Sequence, residues 1–283
     1  MQRVHLFEIA EQAWCPRAVR DALTDYLTFM IERGQPYAPV VPLLVRAINV
    51  SVHRGRENET AGAAEALTPK GMTDTIDVVD LASGAGGPWQ NLVDMLGRAG
   101  TPVRVRLTDR DPNMAAFARL ALATKGRVTG EPRSVSADAV PADLTGFRTI
   151  FSAFHHFAPA DARRVLADAA ARQTSITVFE ATQRDVRAVL LMCLTPLFVL
   201  VTTPFIRPFR WTRLLLTYVL PIIPLAVLFD GVVSCLRTYT PAELRVLAQE
   251  SAPDGYRWEA GEVGSGPIPV TYLLLYPEPE ESE

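Results

Sequence analysis

The chain has 283 residues, with 28 Lys+Arg against 31 Asp+Glu, a net charge of −3, 48% hydrophobic and 21% charged residues. It is too apolar to be disordered and too weakly charged to be a generic polyanion binder, and it is long enough for one large domain or two small ones. Its mean hydropathy of +0.12 is high for a water-soluble enzyme, so an apolar excess must be concentrated somewhere in the chain.

The first residues, Met1 to Glu8, lack the apolar stretch of a secretory signal. From about residue 8 to 50 the pattern is helical: Leu23, Leu27, Met30 and Ile31 recur at helical spacing after Pro16, and Pro36, Pro39 and Pro42 break the run. His53 to Thr75 is polar and small and reads as a connector of low order. Residues 1–75 are therefore expected to form a helical lid and a linker, with Trp14, Tyr26 and Tyr37 facing a substrate.

From Ile76 strands and helices alternate. Ile76–Leu81 predicts a buried strand, followed at once by Ser83-Gly84-Ala85-Gly86-Gly87 and a helix to about Arg98. Val103–Asp109 predicts a second strand, Asn113–Thr124 a helix, Arg133–Asp138 a third strand, Phe147–Ala153 a fourth, Asp161–Ala171 a helix and Ser175–Phe179 a fifth strand. After a long apolar insert, Thr240 and Glu243 form a capping box for a helix that Pro241 opens. Tyr256–Glu259 and Val270–Tyr276 supply two last strands, and Pro277–Glu283 is an acidic tail. The pattern predicts an α/β, Rossmann-like, doubly wound and mostly parallel seven-stranded sheet over residues 76–283. Three widely spaced cysteines, Cys15, Cys193 and Cys235, match no disulfide or zinc framework and favour a reducing, cytoplasmic setting.

The glycine-rich turn after the first strand lets backbone approach a ligand closely, at a helix N-terminus with free N–H groups. Asp109 ends the second strand, where a carboxylate can accept both hydroxyls of a ribose, and Asp138 ends the third, where one can accept from an exocyclic amine. With Asp80 these acids line the carboxyl ends of three consecutive strands, the usual ligand crevice of an open α/β sheet. Trp89 stands where a dinucleotide motif would place its third glycine, which argues against NAD.

Asp80 to Gly87, Leu107-Thr108-Asp109, Ala137-Asp138-Ala139 and Ser152-Ala153-Phe154-His155-His156 resemble successive motifs of the class I S-adenosylmethionine-dependent methyltransferases. The likeness runs from about Ile76 to Glu180 and resumes at Thr238. Trp14-Cys15-Pro16 and the apolar insert also resemble a bacterial subgroup of these enzymes. The resemblance implies that Gly84 and Gly86 wrap the methionine part of the cofactor, Asp109 holds the ribose and Asp138 reads adenine. Asp80, Ala82, Ser83, Arg110, Ala139 and Ser152 complete the implied cofactor set. Ala82 stands where the family usually has its first glycine.

His155 and His156 follow the fourth strand, and either could contact substrate, act as a base or simply scaffold the turn. Glu180 ends the fifth strand and could orient substrate or the cofactor amine, or pair with a salt-bridge partner. Adjacent histidines are expected to point apart, so no metal site is expected. Ser152-Ala153-Phe154-His155 lacks the Pro-Pro turn of base-methylating enzymes, and the domain has no basic stripe, so a nucleic-acid partner is not expected.

The apolar excess lies in the insert, residues 186–236. Ala188–Ile206 is 19 residues without a charge; Arg207, Arg210 and Arg213 follow, then Leu214–Phe229, 16 more. The insert could be a cap forming an apolar substrate pocket, a monotopic hairpin with its arginines and Trp211 at lipid headgroups, a hairpin spanning a bilayer, or a homodimer interface. Three functions remain open. One is methyl transfer to a small, largely apolar or lipid-like acceptor. The others are cofactor binding without methylation, and peripheral membrane action through residues 188–229.

Overall fold

The computed structural model describes residues 1–60 and 75–278; the expected linker over 61–74 and the end of the acidic tail lie outside them. Seven strands form one sheet: β1 Ile76–Asp80, β2 Val103–Leu107, β3 Val128–Gly130, β4 Phe147–Phe151, β5 Ile176–Glu180, β6 Tyr256–Val263 and β7 Val270–Pro277. Their order is β3-β2-β1-β4-β5-β7-β6. The first five are parallel, and β7 runs antiparallel between β5 and β6. The strand order reverses between β1 and β4, which opens the crevice at the carboxyl ends of those strands.

The helices sort by the alternation of strand side chains. On one face, Val78, Phe147, Phe151 and Phe179 pack against α2 (Val41–Thr60), α3 (Trp89–Arg98) and α4 (Met114–Ala123). On the other, Val79, Ile150, Ile176 and Val178 pack against α5 (Pro159–Ala171) and α10 (Pro241–Ser251). The capping box of α10 forms: Thr240 accepts from Glu243 N, and Glu243 accepts from Thr240 N.

The third strand is displaced from its expected place. It is Val128–Gly130, whereas Arg133–Asp138 makes only an isolated bridge between Ser136 and Ala139. Lys125 and Gly126 end α4 with positive φ, so the chain re-enters the sheet at once, and Val105 N donates to Arg127 O. Val135 and Ala137 imitate a strand by alternating, yet they are buried in loop conformation. The connector expected from His53 is also shortened, because α2 continues to Thr60.

The N-terminal helices pack in two places. Leu44, Ala47 and Ile48 of α2 are sealed in the core of the sheet. In α1 (Arg17–Gly34), Val19, Ala22, Leu23 and Tyr26 pack instead on the insert, against Val199, Ile206, Ile223, Ala226 and Val227. The insert consists of α6 (Val186–Met192), α7 (Thr195–Thr202), the short α8 (Trp211–Leu214) and α9 (Ile222–Arg237). Two buried charges lock it to α1: Arg213 Nη1 lies 2.7 Å from Asp25 Oδ2, and Arg213 also donates to Ile206 O and Pro208 O.

Candidate functional site

The turn after β1 is built by its own backbone. Ala82, Gly84, Gly86 and Gly87 all have positive φ, 52°, 55°, 104° and 52°. Ala82 adopts this conformation despite its Cβ, which costs about 1 kcal/mol or more. Asp80 anchors the turn from below. Its carbonyl accepts from Thr108 N, Thr108 Oγ1 and Ser83 Oγ, and its carboxylate accepts from Thr149 Oγ1 at 2.6 Å. Burial pushes the Asp80 carboxyl up to about 6 against these hydrogen bonds.

Asp109 closes the turn from the side: Oδ2 accepts from Gly84 N at 2.8 Å and Oδ1 from Asp111 N at 2.9 Å. A carboxylate has about four acceptor sites, so each oxygen keeps capacity for a ligand hydroxyl. A Cβ on Gly84 would meet nothing within 4 Å, so this peptide borders open space. Asp138 is more committed. It accepts from Ser136 Oγ and from Arg164 Nε at 3.0 Å, and these bonds hold its carboxyl below the usual range. Reading adenine there requires Arg164 to share or release it. Arg110 is exposed, with its carbonyl bound by Ser134 Oγ, and Ala139 N closes the tight turn onto Ser136 O. Ser152 has φ 44°; its Oγ contacts Tyr37 OH and accepts from Ala181 N.

The three expected lid residues go to three places. Tyr37 is fully buried and edge-on to Phe151, Tyr26 is buried between α1 and the insert, and Trp14 is 65% exposed.

His155 and His156 lie on the 3-10 turn Phe154–His156 after β4. Glu180 holds this turn: Oε1 accepts from Phe154 N and His155 N, and Oε2 sits 2.7 Å from His155 Nδ1. Oε1 is therefore filled, and Oε2 is engaged by the buried imidazole. His155 is buried, not open to the crevice, with Arg3 and Arg237 donating to its carbonyl and Glu8 beside its ring. Glu8 approaches His155 Nε2 to 3.6 Å, and Glu11 approaches His156 Nδ1 to 2.5 Å. Burial alone would lower the His155 pKa, but the Glu180 and Glu8 carboxylates outweigh it and raise it to about 9.

The two imidazoles do not point apart. Their centroids are 4.1 Å apart on the 3-10 turn, and ligating atoms of Glu8, His155 and His156 lie within 4.8 Å of one another. The expectation that these histidines could not converge is thus corrected. The cluster is nevertheless balanced internally. Arg237 Nη1 pairs with Glu11 at 2.8 Å and lies 3.6 Å from Glu8, Ser234 donates to Glu8, and His155 carries a proton between two carboxylates. A metal ion would have to displace both that proton and Arg237.

The N-terminal cover is stitched down along its length. Arg3 donates to the carbonyls of His155, Phe157 and Arg237, and Asp230 accepts from Ile9 N and Ala10 N. Glu8, Glu11 and Arg237 were not marked by the sequence, since no local pattern joins them to His155.

A candidate O-methyltransferase from Nostoc punctiforme PCC 73102 is similar in structure, at 13% identity and TM-score 0.50, over 96% of this chain and 64% of that one. The chain has the Rossmann-like fold of the methyltransferases. An O-methyltransferase family protein from Burkholderia thailandensis aligns over 96% of this chain and 62% of its own, with 15% identity and TM-score 0.49. The pyocyanin biosynthetic protein PhzM aligns over 72% of this chain and 51% of its own, with 14% identity and TM-score 0.43. The chain thus spans about half to two thirds of the length of these methyltransferase-fold neighbours. No protein-family model and no curated protein matches the sequence.

Proposed function

We propose that this protein transfers a methyl group from S-adenosylmethionine to a small, largely apolar or lipid-like acceptor. The observation that carries the proposal is the positive-φ turn Ala82–Gly87, tied to the Asp109 carboxylate at the switch point of a methyltransferase-fold sheet. In this reading Gly84 and Gly86 let the backbone approach the methionine part, Asp109 takes the ribose hydroxyls, and Asp138 takes the adenine amine. Asp80, Ala82, Ser83, Arg110, Ala139 and Ser152 shape the same crevice. When bound, the cofactor supplies a methyl group already activated on a sulfonium.

The protein's remaining work is to orient the acceptor and exclude water. Glu180 positions the His155 turn and is buried away from solvent. His155 is protonated and sealed, so it serves as scaffold; His156, partly exposed and paired with Glu11, is the candidate for a base. This arrangement suits an acceptor that loses its proton readily. The charge-free runs of the insert support an apolar acceptor.

Incubation with methyl-labelled S-adenosylmethionine and a panel of phenols, amines and a total lipid extract tests the proposal. Label entering an organic-soluble product is expected. Cofactor binding with no transfer to any member of the panel would favour the reading in which the fold binds the cofactor without methylating.

A further inference from the structure

We infer that the insert is a membrane-docking surface that lies in the interface of an anionic lipid bilayer without crossing it. Val186–Phe205 forms a helical run of 20 residues with mean hydropathy 2.1, and only 17% of its most apolar window is buried. Leu190, Leu194, Leu197, Val201 and Phe205 recur at helical spacing along this run, and all are 49–67% exposed. A stripe of this kind on a soluble monomer is exceptional, because contiguous apolar patches there seldom exceed a few hundred Å².

The second arm continues the surface. Trp211 is 77% exposed and edge-on to Phe209, and an apolar groove of about 460 Å³ runs beside it, lined by Trp211, Leu215, Tyr218 and Val219. Amphipathic aromatics of this type favour the headgroup level of a bilayer.

Charge selects the occupant. The insert, residues 186–236, contains four arginines and a single acid, Asp230, whose carboxylate is taken up by Ile9 N and Ala10 N. A second copy would set arginines against arginines across a two-fold interface, whereas anionic headgroups complement them. Arg187 and Arg207 bracket the apolar run and are exposed. Arg210 and Arg213 are not available as headgroup ligands. Arg210 pairs with Asp21 and Asp25, and Arg213 is buried on Asp25.

Those same pairs decide the orientation. The tip of the insert is held to α1, whose last turn is fixed to the sheet domain by Asn91 donating to Glu32 O, and the start of the insert is held to the same domain by Arg184 on Glu243. With both ends tied to one body, the helix rests on a membrane face and does not pass through it. Peripheral elements of this kind bind by buried apolar area plus attraction to anionic lipid.

Flotation of the full chain with vesicles of phosphatidylcholine and phosphatidylglycerol tests the inference independently of any cofactor. The wild type should float with these vesicles and more weakly with phosphatidylcholine alone. Leu197→Glu combined with Val201→Glu should cut the vesicle-bound fraction by about tenfold or more, since charge on a lipid-facing position opposes insertion. Leu122→Glu, at an 82% exposed site of α4 remote from the insert, should float as the wild type does. Circular dichroism reports folding, and Val219→Glu on the second arm replaces the double variant should that fail to fold. Wild-type protein left in the soluble fraction with anionic vesicles overturns the inference. So does a folded double variant that floats normally, or a solution dimer that the same substitutions dissociate without any flotation.

Discussion

The buried His155 makes stability depend on pH in a defined window. Its imidazole sits between Glu180 and Glu8 and is raised from 6.5 to about 9. Below pH 6.5 the histidine is protonated in both the folded and the unfolded chain, and the stabilisation is fully present. Above that the unfolded chain releases the proton while the native state keeps it, so stability falls until the native imidazole itself deprotonates near pH 9. A rise of this size is worth about 3 kcal/mol, within the range that decides whether a domain of ordinary stability stays folded. Neighbouring groups act mainly outside the window. Glu8 and Glu11 are held below their usual values, buried Asp80 and half-buried Asp230 titrate at about 6, His5 is lowered from 6.5, and the Cys15 and Cys235 thiols, pushed up from 9, act equally in the wild type and in a His155 variant. Urea unfolding measured from pH 6 to pH 9.5 should lose about 3 kcal/mol in the wild type and far less in His155→Gln, which is neutral throughout. Equal pH slopes in the two proteins would refute the assignment of a protonated His155 between two carboxylates.

Other substitutions probe the remaining joints. Asp25→Ala leaves Arg213 buried without its anion and should cost about 3–5 kcal/mol, read by thermal melting; a change within error would mean that the insert is not locked to α1 by this pair. Ala82→Gly removes a Cβ from φ 52° and should stabilise the fold by up to about 1 kcal/mol, and a loss of stability would contradict the strain assigned to this turn. Gly146→Ala should be among the most damaging glycine substitutions, because φ is 138° and a Cβ would sit 2.6 Å from Asp77 O; native-like melting of that variant would contradict the packing of β4 on β1.

Short-range chemistry made much of the fold legible. The capping box at Thr240, the strands around Asp80 and Phe151, and the glycine turn follow from neighbouring residues, and the structure contains each of them. Val135 and Ala137 alternate like a ladder and imitate a third strand, while the true register, Leu107 with Gly130, depends on where α4 stops. The His155 cluster was hidden for another reason: Glu8 and Glu11 reach it across more than a hundred residues of chain. The division of the N-terminal helices did leave a trace, since Asp25 interrupts the apolar positions Leu23 and Tyr26 and Arg213 interrupts an apolar run. Two charges of opposite sign in apolar surroundings mark a buried pair, and their partnership joins α1 to the insert.

The central claim is that the turn after β1 and Asp109 form a cofactor site. Isothermal titration with S-adenosylmethionine tests it most directly. The wild type is expected to bind, and Asp109→Ala to bind more weakly by about 1–3 kcal/mol, the cost of a lost polar partner. No heat of binding in folded wild-type protein, or undiminished affinity in the variant, would contradict the account.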